Sequence, residues 1–362
     1  MKIVMMITGL GMGGAETQVC NLANSLANLD HDVTIVSLVN IQEVFPHDRV
    51  KVLTLNMEKT PSGFIKAYLK CRKIIKKLKP DVIHSHMVHA NIFARLLRLS
   101  MVFPRLICTA HNTNEGGRGR MLAYRLTDSL ADITTNVSQE GVDAFVQANA
   151  AKKERIICMY NGIDTEKFVF SSEKRVSIRY QLQLNDNTPL LMAIGRLTFA
   201  KDYPNLLQAF SMLNANLNAH LAIIGDGPLK NDLIKLSQEL GVSERVHWLG
   251  IQKNIPEWLS ACDIFVLSSE WEGFGLVVAE AMACGRVVVA TDAGGVKEVM
   301  GSSEFLVPIK DSDRLMQKIS TALGLSTNER EIISASNHAQ VLSHFALPVI
   351  TQRWLSLYEG KI

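Results

Sequence analysis

The sequence predicts an α/β protein made of two doubly wound parallel-sheet domains. Three observations carry this. Short apolar runs alternate with helix-length segments through most of the 362 residues, and strand–helix alternation of that kind builds parallel sheets with helices on both faces. The chain is too long for one ordinary core, so two domains of roughly 170 residues each are expected. A polar, aperiodic stretch at residues 165–187, with Ser171-Ser-Glu-Lys-Arg175 and Asn185-Asp-Asn-Thr-Pro189 in or beside it, divides the strands into two series.

The first series is 2–7, 33–39, 50–55, 82–84, 106–110, 133–137 and 156–159. Lys2-Ile-Val-Met-Met-Ile7 opens it and runs into Gly9-Leu-Gly-Met-Gly-Gly14, a turn leading to a helix that starts near Ala15. The second series is 190–194, 222–224, 246–249, 264–267, 287–290 and 305–307. The expected domains are therefore 1–167 and 185–342. The last segment, 343–362, spaces Leu347, Ile350, Trp354 and Tyr358 helically and is expected to return to the first domain. Ligands of such sheets bind at the carboxyl ends of the strands, so a cleft between the domains is the expected site.

Composition narrows the function. With 47% apolar residues both domains can bury sizeable cores, and a net charge of +3 is too small to make nucleic acid the main partner. The six cysteines form no Cys-x-x-Cys pair and have no zinc-like spacing with His, which fits reduced, buried thiols in a cytoplasm. No signal peptide is expected, because the apolar start meets a glycine turn and not a cleavage site. No run reaches ~18 uninterrupted apolar residues, so no span is expected. Nothing in the sequence indicates the oligomeric state.

The most informative stretch is Ser268-Ser-Glu-Trp-Glu-Gly-Phe-Gly-Leu-Val-Val-Ala-Glu-Ala-Met-Ala-Cys-Gly285. It sets Glu272 and Glu280 eight residues apart around a Gly-Phe-Gly turn, between two strand-like runs. A glycine turn entering a helix holds phosphate on free backbone N–H groups. An acid on each side binds hydroxyls. Sugars at both ends and a pyrophosphate between them describe a nucleotide-sugar.

Gly9, Gly11 and Gly14 also satisfy G-x-G-x-x-G. A dinucleotide site needs an acid at the end of the second strand, and Ser37-Leu-Val-Asn40 offers none. An NAD(P) oxidoreductase therefore stays open only as an alternative, beside a flexible turn closing over a ligand and a plain tight turn. Downstream, Lys66-Ala-Tyr-Leu-Lys-Cys-Arg-Lys-Ile-Ile-Lys-Lys-Leu-Lys79 is strongly basic. Lys66, Lys70, Lys73 and Lys77 share one helical face, and Phe64, Tyr68, Cys71, Ile75 and Leu78 another. That pattern fits an amphipathic helix on an anionic membrane or a core-packed helix with a solvated basic face.

Several short segments fit one family. They are Gly13-Gly-Ala-Glu16, Thr109-Ala-His111, Tyr160-Asn-Gly-Ile-Asp164, Gly195-Arg-Leu with Lys201, Gly225-Asp-Gly-Pro228, Leu249-Gly250, Glu272-Gly-Phe-Gly-Leu276 with Glu280, and Gly294-Gly-Val-Lys-Glu298. In this order the chain resembles the family 4 retaining glycosyltransferases of the GT-B fold, like those of bacterial lipopolysaccharide and capsule assembly. The resemblance implies an acceptor-binding first domain and a second domain that binds a nucleotide-sugar, UDP by family frequency. It implies that Arg196 and Lys201 neutralise the leaving diphosphate without a metal or other cofactor. Glu280 would hold the ribose, Glu272 the transferred sugar, and the N–H groups of Phe274, Gly275 and Leu276 the part between. His111 would position the sugar. Gly13, Gly14 and Gly195 would approach the donor, Leu249 and Ile251 line the base, and Asn161 with Gly162 form a hinge. Glu16, Arg118, Arg120 and, further on, Arg125 would face a lipid-linked or oligosaccharide acceptor, with the enzyme peripheral at the inner membrane face. Same-face attack follows if no carboxylate lies beneath the anomeric carbon. A sugar-nucleotide 2-epimerase, which shares the fold, is the alternative.

Overall fold

A computed structural model describes every residue of 1–362 except Asn114. The chain divides into two units. The first is Met1–Gly162 with Leu347–Ile362, and the second is Ile163–Ala346.

The first unit holds β1 (Lys2–Ile7), α1 (Gly14–Asn28), β2 (Asp32–Ser37), β3 (Lys51–Thr54), α2 (Pro61–Leu78), β4 (Val82–His86), α3 (Val88–Leu97), β5 (Arg105–Ala110), α4 (Arg118–Thr127), β6 (Ile133–Asn136), α5 (Gln139–Gln147) and β7 (Ile156–Cys158). The second holds α6 (Ser172–Gln181), β8 (Leu190–Ile194), α7 (Tyr203–Ser211), β9 (His220–Ile224), α8 (Lys230–Glu239), β10 (Val246–Gly250), α9 (Ile255–Ala261), β11 (Ile264–Leu267), α10 (Leu276–Ala283), β12 (Val287–Thr291), α11 (Val296–Met300), β13 (Leu306–Val307), α12 (Ser312–Leu323) and α13 (Thr327–His344). The chain then returns to the first unit as α14 (Leu347–Tyr358). Each predicted strand is present, with ends that move by at most two residues.

Both sheets are parallel. Their orders are β3-β2-β1-β4-β5-β6-β7 and β10-β9-β8-β11-β12-β13. In each, the winding direction reverses beside the first strand, between β1 and β4 and between β8 and β11. A reversal leaves neighbouring loops diverging at the carboxyl edge, which opens a ligand crevice there.

β1 shows how the cores form. Ile3, Met5 and Ile7 pack with α1 and with Ile350, Trp354, Leu357 and Tyr358 of α14. Val4 and Met6 pack on the other face with α2 and α3. A strand buried on both faces reads as a continuous apolar run for this reason.

Two expectations need correction. The polar break at 165–187 contains α6, whose Arg179 is buried and donates to the Ala261 carbonyl at 3.0 Å. In α2, Ala67, Cys71 and Ile75 are core residues, with Phe64, Tyr68 and Leu78 packed against the same cluster. The apolar face is thus spent inside the unit and is not offered to a membrane. Thr60 caps α2, Pro61 begins it, and left-handed Lys79 (φ 49°) before Pro80 ends it. No described helix is long and apolar enough to cross a membrane. The six cysteines are unbridged, and burial pushes the thiols of Cys20, Cys71, Cys262 and Cys284 up to about 12.

Candidate functional site

In the second unit the loops after β8 and β11 close on each other. The Ser268 hydroxyl donates to the Lys201 carbonyl at 2.9 Å, and the Glu270 N–H to the Ala200 carbonyl at 2.9 Å. The short turn Phe199–Lys201 thereby brings Lys201 Nζ to 2.5 Å from Glu272 Oε1. The Ser269 hydroxyl donates to the same oxygen at 2.6 Å, while Thr291 anchors the Ser269 carbonyl at 2.6 Å. Glu272 Oε2 has no partner among the described residues. The sequence reading set Lys201 and Glu272 on different parts of a ligand, whereas the structure joins them in one ion pair. An ammonium has three donors, so Lys201 keeps two for a phosphate. Arg196 lies exposed beside this pair in sequence, just after Gly195.

Glycines allow the approach. Gly195 accepts from the Tyr203 hydroxyl at 3.0 Å, and a side chain on Gly225 would strike the Gly195 carbonyl. Gly294 (φ 57°) leaves the same kind of space for the Glu272 carbonyl. Gly275 adopts a left-handed φ of 85° and turns the chain into α10. The first N–H groups of α10, beginning at Leu276, have no acceptor one turn earlier and carry the positive end of the helix dipole. Phe274 is buried with its ring edge-on to Phe345, centroids 5.4 Å apart.

Glu280 sits on α10 among apolar neighbours. Burial pushes its carboxyl up to about 7, opposed by the charge of Lys167. No described residue donates a hydrogen bond to it. The residue is half-buried, so a ligand can reach this carboxyl and supply the missing donor. The base-side expectation changes in detail. Ile251 is 55% exposed, the Leu249 carbonyl accepts from Gln252 at 2.7 Å, and the Gly250 carbonyl from Gly225 N–H at 2.8 Å.

In the first unit, His111 follows β5 and His86 ends β4. His86 Nδ1 lies 3.2 Å from His111 Nε2. The His84 ring lies against that of His86, centroids 3.9 Å apart and planes tilted by 41°, and its nitrogens meet the Tyr358 and Thr109 hydroxyls at 2.7 Å each. Burial holds His111 down to about 4, so its imidazole is neutral at pH 7. The Glu115 carboxylate accepts the backbone N–H of His111 at 2.8 Å and of Val88 at 3.2 Å, tying the His111 loop to the start of α3. A cavity of about 20 Å³ adjoins His86, His111, Gln18, Thr109 and Asn161.

The remaining expected residues fall as follows. Gly13 caps α1 and Gly14 begins it, with the Glu16 carboxylate folded against Gly13. The turn before them is tied down: Leu10 donates to the Ile41 carbonyl at 2.8 Å, and Met12 N–H to Glu43 at 2.8 Å. These bonds favour a tight turn among the readings left open for its glycines. Gly162 is clamped by Gln18, which donates to its carbonyl at 2.8 Å and accepts its N–H at 2.9 Å. A side chain there would strike Leu347, so packing against α14 explains this glycine. Asn161 is buried beside it. Arg120 donates to the Glu115 carbonyl at 2.9 Å, while Arg118 and Arg125 are exposed. Lys66, Lys70, Lys73 and Lys77 are exposed along α2, with Lys70 reaching the Thr54 carbonyl at 2.7 Å. Sequence reasoning missed His84, His86, Glu115, Gln18 and Tyr358. His84-Ser-His86 carried a signal, since alternate strand residues share a face.

Comparison with known proteins fits this geometry. The family model Glycosyltransferase Family 4 matches residues 12–167, and Glycosyl transferases group 1 matches residues 174–338. The chain is 26% identical over 340 residues to N-acetylgalactosamine-N,N'-diacetylbacillosaminyl-diphospho-undecaprenol 4-alpha-N-acetylgalactosaminyltransferase of Campylobacter jejuni, covering 89% of this chain and 90% of that one. It is 25% identical to N-acetyl-alpha-D-glucosaminyl L-malate synthase of Bacillus anthracis, over 83% of this chain and 82% of that one. Anabaena HepE, solved in complex with UDP, shares the fold at a TM-score of 0.86 and 23% identity, over 99% of this chain and 100% of that one. Since the two glycosyltransferase models follow one another along the chain as its two sheets do, the protein belongs to the family 4 glycosyltransferases of the GT-B fold.

Proposed function

We propose that the protein is a retaining enzyme that transfers a hexose or N-acetylhexosamine from a UDP-sugar to a lipid-linked or oligosaccharide acceptor in bacterial surface polysaccharide assembly. The observation that carries this reading is the Lys201–Glu272–Ser269 cluster before α10, with donor-less Glu280 on the same helix. Glu280 accepts the ribose hydroxyls and Glu272 Oε2 a sugar hydroxyl. Arg196 and Lys201 counter the charge that grows on the departing diphosphate, and such preorganised charge is the main lever on the rate. His111, being neutral, hydrogen-bonds the sugar. Glu272 Oε1 is held by Lys201 and Ser269, which supports reading this carboxylate as a binding group. Same-face attack follows, with the leaving phosphate helping to take the acceptor proton, and the donor chemistry needs no metal ion.

The acceptor side rests on the basic face of α2 and on Arg118, beside a relative whose name specifies a diphospho-undecaprenol acceptor. A second reading, a small soluble acceptor, is favoured by the resemblance to the malate-glycosylating enzyme.

A panel of UDP-sugars, scored for thermal stabilisation and for hydrolysis with and without EDTA, should single out one donor. With that donor, Glu272→Ala should lower kcat ~100–1,000-fold and trap nothing. A glycosyl adduct on any carboxylate, seen by intact-mass spectrometry, would overturn same-face attack.

A further inference from the structure

We infer that His86 is a positioning residue that sets the tautomer of His111, leaving Nδ1–H of His111 as the donor offered to the ligand. The inference rests on the reading of His111 as a ligand-facing group.

The two rings meet through His86 Nδ1 and His111 Nε2, 3.2 Å apart. Both imidazoles are neutral at pH 7, because burial disfavours their charged forms. A neutral pair joined by one hydrogen bond has a proton on only one of the two facing nitrogens. If His111 Nε2–H donated, His86 would carry its own proton on Nε2. That atom is buried and has no partner among the described residues, and in protein interiors a buried donor left unpaired is rarer than an under-satisfied acceptor, as the backbone N–H and C=O groups show. If His86 Nδ1–H donates, Nε2 keeps only a bare lone pair, a milder loss. His111 then accepts on Nε2 and carries its proton on Nδ1.

The surroundings hold His86 in place for this task. The residue is 3% exposed and its ring lies tilted against that of His84, which is itself fixed at both nitrogens by Tyr358 and Thr109. Thr109 is fixed in turn by the Thr135 hydroxyl at 2.7 Å. The adjoining cavity has room for about one water, yet two of its polar liners are committed elsewhere. Gln18 spends both ends of its amide on Gly162, and Thr109 is shared between His84 and Thr135. The same donor geometry explains why neutrality suits His111: a sugar hydroxyl or a developing charge on oxygen is met by a fixed N–H without a titration step.

The test is spectroscopic first. In the full-length protein labelled with 15N-histidine, His111 is assigned by the signal lost in His111→Asn. Its Nδ1 should show a protonated-type shift and its Nε2 a bare-nitrogen shift. The reverse pattern overturns the inference, whatever the activity. Next, His86→Phe keeps a ring against His84 but removes the donor. With the UDP-sugar the parent hydrolyses fastest, kcat should fall ~10–100-fold while the donor KM moves less than about threefold. His86→Asn, whose amide places an N–H near the Nδ1 position, should recover most of that loss. Parent-like kcat in His86→Phe overturns the inference as well. Parent-like activity in His111→Asn would instead remove the role of His111 and leave the measured tautomer standing. Should His86→Phe fail to fold, the nitrogen shifts of the parent still decide.

Discussion

Glu280 shows what one carboxyl on an apolar helix entails. Burial lifts its pKa from 4.5 to about 7. An acid whose folded pKa is raised favours folding fully below its unfolded pKa, and that contribution is lost as pH rises through the folded value. Between pH 5 and pH 8 the parent should therefore lose up to about 3 kcal/mol through this group. Glu280→Gln cannot ionise, so it should unfold at a temperature several degrees above the parent at pH 8 and nearly level with it at pH 5. Circular dichroism melts of the ligand-free protein at the two pH values check this, and an equal offset at both would sink it. The residues that bear on the second unit's chemistry were legible because their neighbours in sequence repeat a known pattern. Lys201 and Glu272 were both singled out in the sequence, but their pairing was not, because it joins positions 71 residues apart. The His84–Tyr358 contact spans 274 residues and depends on where α14 docks, which no local pattern states.

At the scale of the element, hydrophobic period located the strands well, missed one helix and left the packing of another open. α6 was missed because its buried face is polar. Arg175 pairs with Asp263 at 2.6 Å, and Arg179 lies 1% exposed against backbone carbonyls. Periodicity counts apolar residues and does not see an arginine neutralised in place. α2 was found, yet its apolar face belongs to the core. What remains outward is the row Lys66, Lys70, Lys73 and Lys77 with exposed Ile65 and Leu69. If this face meets a membrane, the attraction would be mainly electrostatic, about 1 kcal/mol per basic residue at most. In liposome flotation the parent should bind vesicles containing anionic lipid and release them at high salt. Replacing the four lysines by Gln should cut binding by roughly tenfold or more. Equal binding to neutral vesicles, or no change in the quadruple variant, would remove the membrane role of α2.

The whole molecule is threaded so that its first unit is completed last. β1 lies in the middle of the first sheet, and the helix that covers it, α14, is made only after the entire second unit. Ile350, Trp354, Leu357 and Tyr358 bury their side chains there, and Tyr358 also holds His84. Burial of four such side chains contributes about 6–12 kcal/mol, as large as the total stability of an ordinary domain. α14 belongs to the first unit and lies outside the second, Ile163–Ala346. A chain ending at Ala346 should therefore keep slow amide exchange in β8, β9, β11 and β12 while β1, β4 and α1 exchange close to unfolded rates. Hydrogen–deuterium exchange with mass spectrometry reads both units in one sample. Protection of β1 and β4 in the shortened chain would show that α14 only decorates a finished sheet. Loss of protection would mean that the His84–His86–His111 cluster cannot assemble until the last helix has been made and docked.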